Sequence, residues 1–180
     1  MEVASRGRTT AYTRKGYCLK RFPSHLPGGN HTHNAKFTIL DCIFNEISEV
    51  FYVMDVMCWN RHTFYDSERD LRYFLLKFKF EEEKEALCKR SSRHPLLFEL
   101  HLQYSCTKES LSEVFSQRWP VSVDGLLFFH LQGHYIRRHS PLCVWLKPGM
   151  LNDILKLQPS AAFLESSASA DKHHHQTMES

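Results

Sequence analysis

The chain is 180 residues long, enough to enclose one sizeable core. Its 42% hydrophobic and 24% charged residues are near globular averages, which excludes a fibrous or wholly disordered chain. A mean hydropathy of -0.41 and the lack of any apolar run near the ~18 residues of a membrane span exclude a transmembrane helix, and no membrane partner is expected. The opening residues, MEVASRGRTT, lack the apolar stretch of a secretory signal.

The 23 basic and 20 acidic residues leave a formal charge of +3, too little to argue for nucleic-acid binding by itself. The distribution is more informative. Arg6, Arg8, Arg14, Lys15, Lys20 and Arg21 are interrupted by no acid, whereas Glu81, Glu82, Glu83 and Glu85 cluster later. The early segment is therefore the one suited to phosphates. Six cysteines occur without a C-x-x-C pair, mostly in apolar surroundings, and read as reduced and largely buried thiols. No metal-ligand spacing emerges from the 12 histidines, so neither metal nor cofactor is expected.

In chain order, residues 9–13 and 17–22 read as two strands joined at Lys15-Gly16. Pro23 and Leu26-Pro27-Gly28-Gly29-Asn30 begin a loop. Residues 37–44 and 49–59 read as strands of a hairpin with Asn45-Glu46-Ile47-Ser48 as the link. Residues 68–80 suit a strand or a buried helix equally, and the acidic run with Lys89-Arg90-Ser91-Ser92-Arg93 reads as an exposed connection. A strand is expected over 96–104, and a helix from a Thr107 cap to Trp119, with Leu111, Val114 and Phe115 on one face and Pro120 as the stop. Strands over 123–131 and 144–146 precede a last helix over 151–157. The Ser/Ala/His-rich residues 158–180, with His173-His174-His175, read as a disordered tail. The expected class is α+β, a largely antiparallel twisted sheet with flanking helices, in one domain over 1–157.

Three segments place chemistry at strand ends. Asp41 closes one strand, with Glu46 shortly after; Asp124-Gly125 opens a second, and Lys147 ends a third. Acid, acid, lysine in this order resembles the nucleotide site of the messenger-RNA capping enzyme and DNA ligase nucleotidyltransferases. Their nucleophile is the lysine of K-x-D-G, and no K-x-D-G occurs here, so a nucleotide-site fold without enzymatic activity is expected. An enzyme fragment of that fold is the alternative.

A wider set of segments resembles the cap-binding domain of the snurportin family. They are Val3-Ala4-Ser5-Arg6-Gly7, Ala11-Tyr12-Thr13, Gly16-Tyr17-Cys18, Leu26-Pro27-Gly28-Gly29-Asn30, Thr38-Ile39-Leu40-Asp41-Cys42, Asp55-Val56-Met57-Cys58-Trp59, Val123-Asp124-Gly125-Leu126-Leu127-Phe128 and Trp145-Leu146. The resemblance runs in order over about residues 3–157. It implies non-catalytic binding of the 2,2,7-trimethylguanosine cap of spliceosomal U small nuclear RNAs by a nuclear import adaptor, active in cytoplasm and nucleus. It also implies a core similar to the capping-enzyme fold. Trp145 falls on the family tryptophan that stacks on the methylated base, and Arg14 on a cap-contacting lysine. The family's first core strand and its arginine-rich importin-β-binding segment have no counterpart in residues 1–180, so importin-β is not expected to bind through them. A truncated domain without stable binding is a further alternative. On residue type alone, Trp145 and Trp59 would both be core, Trp119 a packing anchor at a helix end, and Arg14 a solvated charge.

Overall fold

A computed structural model describes residues 1–117, 119, 123–136, 140–161 and 163. They divide into two compact units, Met1–Leu102 with Leu131–Arg137, and Gln103–His130 with Arg138–Ser180. One domain over 1–157 was expected.

The first unit is built on a seven-stranded sheet. Strands β1 (Glu2–Ser5), β2 (Arg8–Tyr12) and β3 (Cys18–Phe22) form an antiparallel meander. β1 lies between β2 and β4 (Phe37–Asn45), paired antiparallel to both. A hairpin leads to β5 (Val50–Trp59), the longest strand. Its turn is secured by Asn45, whose Oδ1 accepts the backbone N–H groups of Ile47 and Ser48 at 3.0 and 3.1 Å. The far side of β5 pairs with β6 (His62–Thr63) at one end and, in parallel, with β7 (Leu97–Leu100) at the other.

The Leu26–Asn30 motif is a plug on this sheet. Leu26 is fully buried, and the Gly29 carbonyl accepts from Ser24 N at 2.8 Å. Gly28 sits at φ +97°, where a Cβ would meet the carbonyl oxygens of Lys36 and Ala4 at 2.5 and 2.6 Å. Only glycine fits there.

Residues 68–80 resolve as helix. α1 (Arg69–Glu82) buries Arg69, Arg72, Leu76 and Phe80, a spacing of three and four. α2 (Lys84–Leu87) carries part of the acidic run expected as a connection. Phe51 stacks on Phe22, Phe44 and Phe98 at 5.5, 4.5 and 5.2 Å. Trp59 is core, 5% exposed and beside Phe80, in line with its position inside an apolar strand.

In the second unit, α3 (Lys108–Ser116) starts at Thr107, whose Oγ1 accepts Ser110 N at 3.2 Å. It buries Leu111, Val114 and Phe115 as expected, and Trp119 lies beyond its end with Nε1 donating to Val114 O at 3.1 Å. Pro120 lies outside the described residues. β8 (Leu126–Phe129) and β9 (Cys143–Leu146) form an antiparallel pair, followed by α4 (Pro148–Leu155). α4 starts three residues before the expected helix because Pro148 occupies its first turn, where a missing N–H costs nothing. The packed chain passes the expected boundary at 157: Phe163 is 1% exposed, with its ring 5.3 Å from that of Phe115. The histidine triplet lies outside the described residues.

The cysteine expectation needs correction. Cys58 is buried and Cys42 partly so, but Cys18, Cys88, Cys106 and Cys143 are exposed, and all six are free thiols. Strand alternation and loop placement, which residue neighbours do not reveal, turn them outward. No helix among the described residues is long and apolar enough to cross a membrane.

Asp55 organises the first unit. Its side chain, 4% exposed in the middle of β5, takes a bidentate fork from Arg72, Nε to Oδ1 at 2.9 Å and Nη2 to Oδ2 at 3.0 Å. Arg69 Nη1 lies 3.0 Å from the same Oδ1. Removing one partner of a buried ion pair typically costs about 3–5 kcal/mol. Asp55→Ala should therefore lose stability on that scale in urea unfolding, whereas exposed Asp124→Ala should change it by less than about 0.5 kcal/mol. Equal midpoints for the two variants would refute the role given to Asp55.

Candidate functional site

The two β-strands that carry Trp145 split their residues between faces. Leu146 is buried, and Leu126 and Phe128 pack with it into a cluster containing Leu111, Val114, Phe115, Leu151 and Phe163. Leu127 pairs with Trp145 across the ladder, and these two are 42% and 49% exposed. Leu146 is turned to the core and its neighbour faces out, and Val144 is 45% exposed as well, so β9 is open to solvent up to Leu146. The core reading for Trp145 on residue type alone is thereby set aside. Its indole is a half-exposed aromatic platform.

Gly125 seats that indole. A Cβ at position 125 would come within 2.8 Å of Trp145 Cδ1 and nearer still to Nε1, with Leu146 O at 2.7 Å. The Asp124-Gly125 motif is thus more than a turn at a strand start: the missing side chain is the space in which the ring lies. Asp124 itself is exposed.

Arg14 belongs to the first unit. It is exposed in the turn between β2 and β3, where Thr13 N–H donates to Tyr17 O at 2.8 Å. Its charge reaches Asp41, which sits on β4 opposite Asp55 in the ladder. Burial raises the Asp41 carboxyl above its usual range; the α-ammonium group, Arg14 and Arg69 pull it back, while Asp55 pushes it further up. Glu2, 3% exposed on β1, is raised by burial to about 7 despite the adjacent α-ammonium. Glu46 is exposed in the hairpin turn, and Lys147, also exposed, is the N-cap residue of α4. Asp41 and Glu46 thus belong to one unit and Asp124 and Lys147 to the other.

The polar cluster around Asp55 was not foreseen. Arg72 Nη1 also donates to Gly133 O at 3.1 Å, and its guanidinium carbon lies 6.0 Å from the Tyr135 ring centre. Burial, with Asp41 and Asp55 close by, pushes the Tyr135 hydroxyl up to about 12. A signal was present: a carboxylate alone in Val53-Met54-Asp55-Val56-Met57 has to find a buried partner.

The second unit thus presents a half-exposed indole on a glycine seat, and the first unit, separately, an exposed arginine on a strand turn. The family model described as Snurportin1, m3G cap-binding domain, matches residues 1–148. The chain belongs to the family of snurportin m3G cap-binding domains.

Gly125→Ala tests the seat. The added methyl must displace the ring or widen the β8–β9 pair, an overpacking change that typically costs about 1–3 kcal/mol. In proton–nitrogen NMR spectra the Trp145 indole N–H resonance should move while that of Trp59 stays. An unmoved Trp145 signal would show that the ring does not rest on Gly125.

Proposed function

We propose that the chain is a non-catalytic module binding the 2,2,7-trimethylguanosine cap of U small nuclear RNAs, with Trp145 stacking on the base and Arg14 engaging the triphosphate bridge. The observation that carries this reading is the outward indole of Trp145 in a chain matched to the m3G cap-binding family over residues 1–148. Methylation at N7 makes guanine a flat cation, and the electron-rich face of an indole attracts a flat cation by stacking and by charge. The bridge carries several negative charges, for which a guanidinium provides two parallel N–H donors.

Carriage of capped particles between cytoplasm and nucleus, and kinship with the nucleotidyltransferase core, belong to the same reading. The lack of K-x-D-G supports binding without nucleotidyl transfer, since no lysine stands in the motif that forms the covalent adduct. The 180 residues contain no arginine-rich segment of the importin-β-binding kind, so contact with that receptor is not assigned to them.

The test is titration with trimethylated and monomethylated cap dinucleotides. Base–aromatic stacking is typically worth about 1–3 kcal/mol, so Trp145→Ala should bind roughly ten- to hundredfold more weakly, and Trp145→Phe should retain part of the affinity. Trp145→Ala binding the trimethylated cap as tightly as the parent would overturn the reading. Arg14→Ala should weaken both caps alike and reduce the slope of log affinity against log salt by about 0.7. A change confined to the preference between the two caps would place Arg14 at the base instead.

A further inference from the structure

The connection between α2 and β7, read from sequence as an exposed link, forms one wall of a cavity in the first unit. The cavity measures about 380 Å³, and His25, from the loop after β3, lines it together with residues 89–94. We propose that this cavity binds phosphate, and that its ligand is the phosphodiester backbone of the RNA that follows the cap. The proposal rests on the cap-binding reading for the identity of the polymer.

Charge is the first argument. Lys89, Arg90 and Arg93 face the cavity against one carboxylate, Glu85. Preorganisation is the second. The Ser91–His94 turn is closed in both directions, with Ser91 N donating to His94 O and His94 N to Ser91 O, each at 3.1 Å. Ser91 Oγ also accepts from His94 N at 3.0 Å. Arg90 is fastened to the β4–β5 hairpin turn, with Nη1 3.6 Å from a Glu49 carboxylate oxygen and Nη2 donating to Ser48 O. The wall is therefore held in shape before any ligand arrives, which reduces the ordering cost of binding.

The histidines supply the third argument. The rings of His25 and His94 lie 3.8 Å apart between centres. Burial holds both below their usual range, and for His94 the charges of His25 and Arg93 add to the effect. Lys89 and Arg90 line the same cavity, and Glu85 is the sole carboxylate among its lining residues. Two close imidazoles and three cations thus share one lining carboxylate, and a phosphate adds negative charge while accepting N–H groups from the rings.

Backbone is favoured over base because histidine is the only ring-bearing residue lining the cavity, which leaves no Trp, Tyr or Phe platform for a nucleobase. A polymer is favoured over a single phosphorylated side chain because Arg21, exposed on β3 and within about 15 Å of His25 along even an extended chain, offers a further cation for a second phosphate.

The experiment compares the parent, Lys89→Gln/Arg93→Gln and Glu85→Gln, using a cap dinucleotide, a short uncapped oligouridylate, inorganic phosphate and a phosphoserine peptide as separate probes. Arg90 is left intact because it fastens the turn. The double variant should lose affinity for the oligouridylate with a salt slope smaller by about 1.4, while its affinity for the cap dinucleotide stays at the parental value. Glu85→Gln, which only removes negative charge, should bind the oligouridylate more tightly; this gain cannot come from misfolding. In NMR titrations the oligouridylate should raise the pH at which His25 and His94 titrate. An unchanged slope in the double variant, or no gain in Glu85→Gln, overturns the proposal. Inorganic phosphate or the phosphopeptide shifting both histidines at lower concentration than the oligouridylate overturns the assignment to RNA. Failure of the parent to bind the cap dinucleotide would instead overturn the cap reading, which the oligouridylate arms do not depend on.

Discussion

The carboxylate of Asp55 is the constraint around which the first unit is arranged. It sits in the middle of β5, the strand that pairs with β4 on one side and with β6 and β7 on the other, so no water can solvate it from an edge. Two arginines from the first turn of α1 neutralise it, and their spacing of three fixes which helix face meets the sheet. Arg72 then uses its remaining donors on the carbonyls of Ser67 and Gly133, and Asp70 N–H takes Leu131 O at 3.0 Å. One buried charge thus orients the helix and ties in the segment that returns to this unit after β8. Such a cluster adds little net stability over an apolar core of the same volume, but it penalises every other helix position severely.

The same buried charge shapes the surroundings of Arg14. Asp41 faces Asp55 across the ladder, and burial plus the second carboxylate make it reluctant to ionise. Burial and Asp55 push the Asp41 carboxyl up, and Arg14 is among the positive charges that pull it back. Glu2, raised to about 7, extends the same condition along β1. The buried acids of β1, β4 and β5 therefore form one electrostatically linked group at the centre of the sheet.

How much of this was legible in the sequence depended on whether a signal was local. The Thr107 cap, the α3 face and the Asn45 turn were readable because their partners lie within a few residues. α1 was ambiguous because its buried face carries Arg69 and Arg72 while Leu71, Phe74 and Phe78 are exposed, so apolar periodicity pointed the wrong way round the helix. β1 carries little local signal because four residues, two of them Glu2 and Ser5, become a strand only through pairing on both sides. Only part of the strand expected over 96–104 formed, since β5 offers a parallel partner only along Val50–Val53. Trp59 and Trp145 occupy similar apolar sequence, and their opposite fates follow from their strands: β5 is central and buried along most of its length, whereas β9 belongs to a two-stranded pair and is exposed up to Leu146.

That exposure has a cost. Two strands alone are marginal in water, and an exposed indole gives up the burial free energy that an inward ring would gain. The β8–β9 pair tolerates this because its inner face is covered from both sides in sequence, by Leu111, Val114 and Phe115 of α3 and by Leu151 of α4. Phe163, six residues past the boundary drawn from composition, closes the same cluster, and Ser160 Oγ donates to Phe115 O at 2.5 Å to hold it there. The orientation of Trp145 is therefore set jointly by the empty position at Gly125 outside and by side chains as far along as Phe163 inside. The aromatic platform is a property of the whole second unit rather than of the Val-Trp-Leu-Lys segment that announces it.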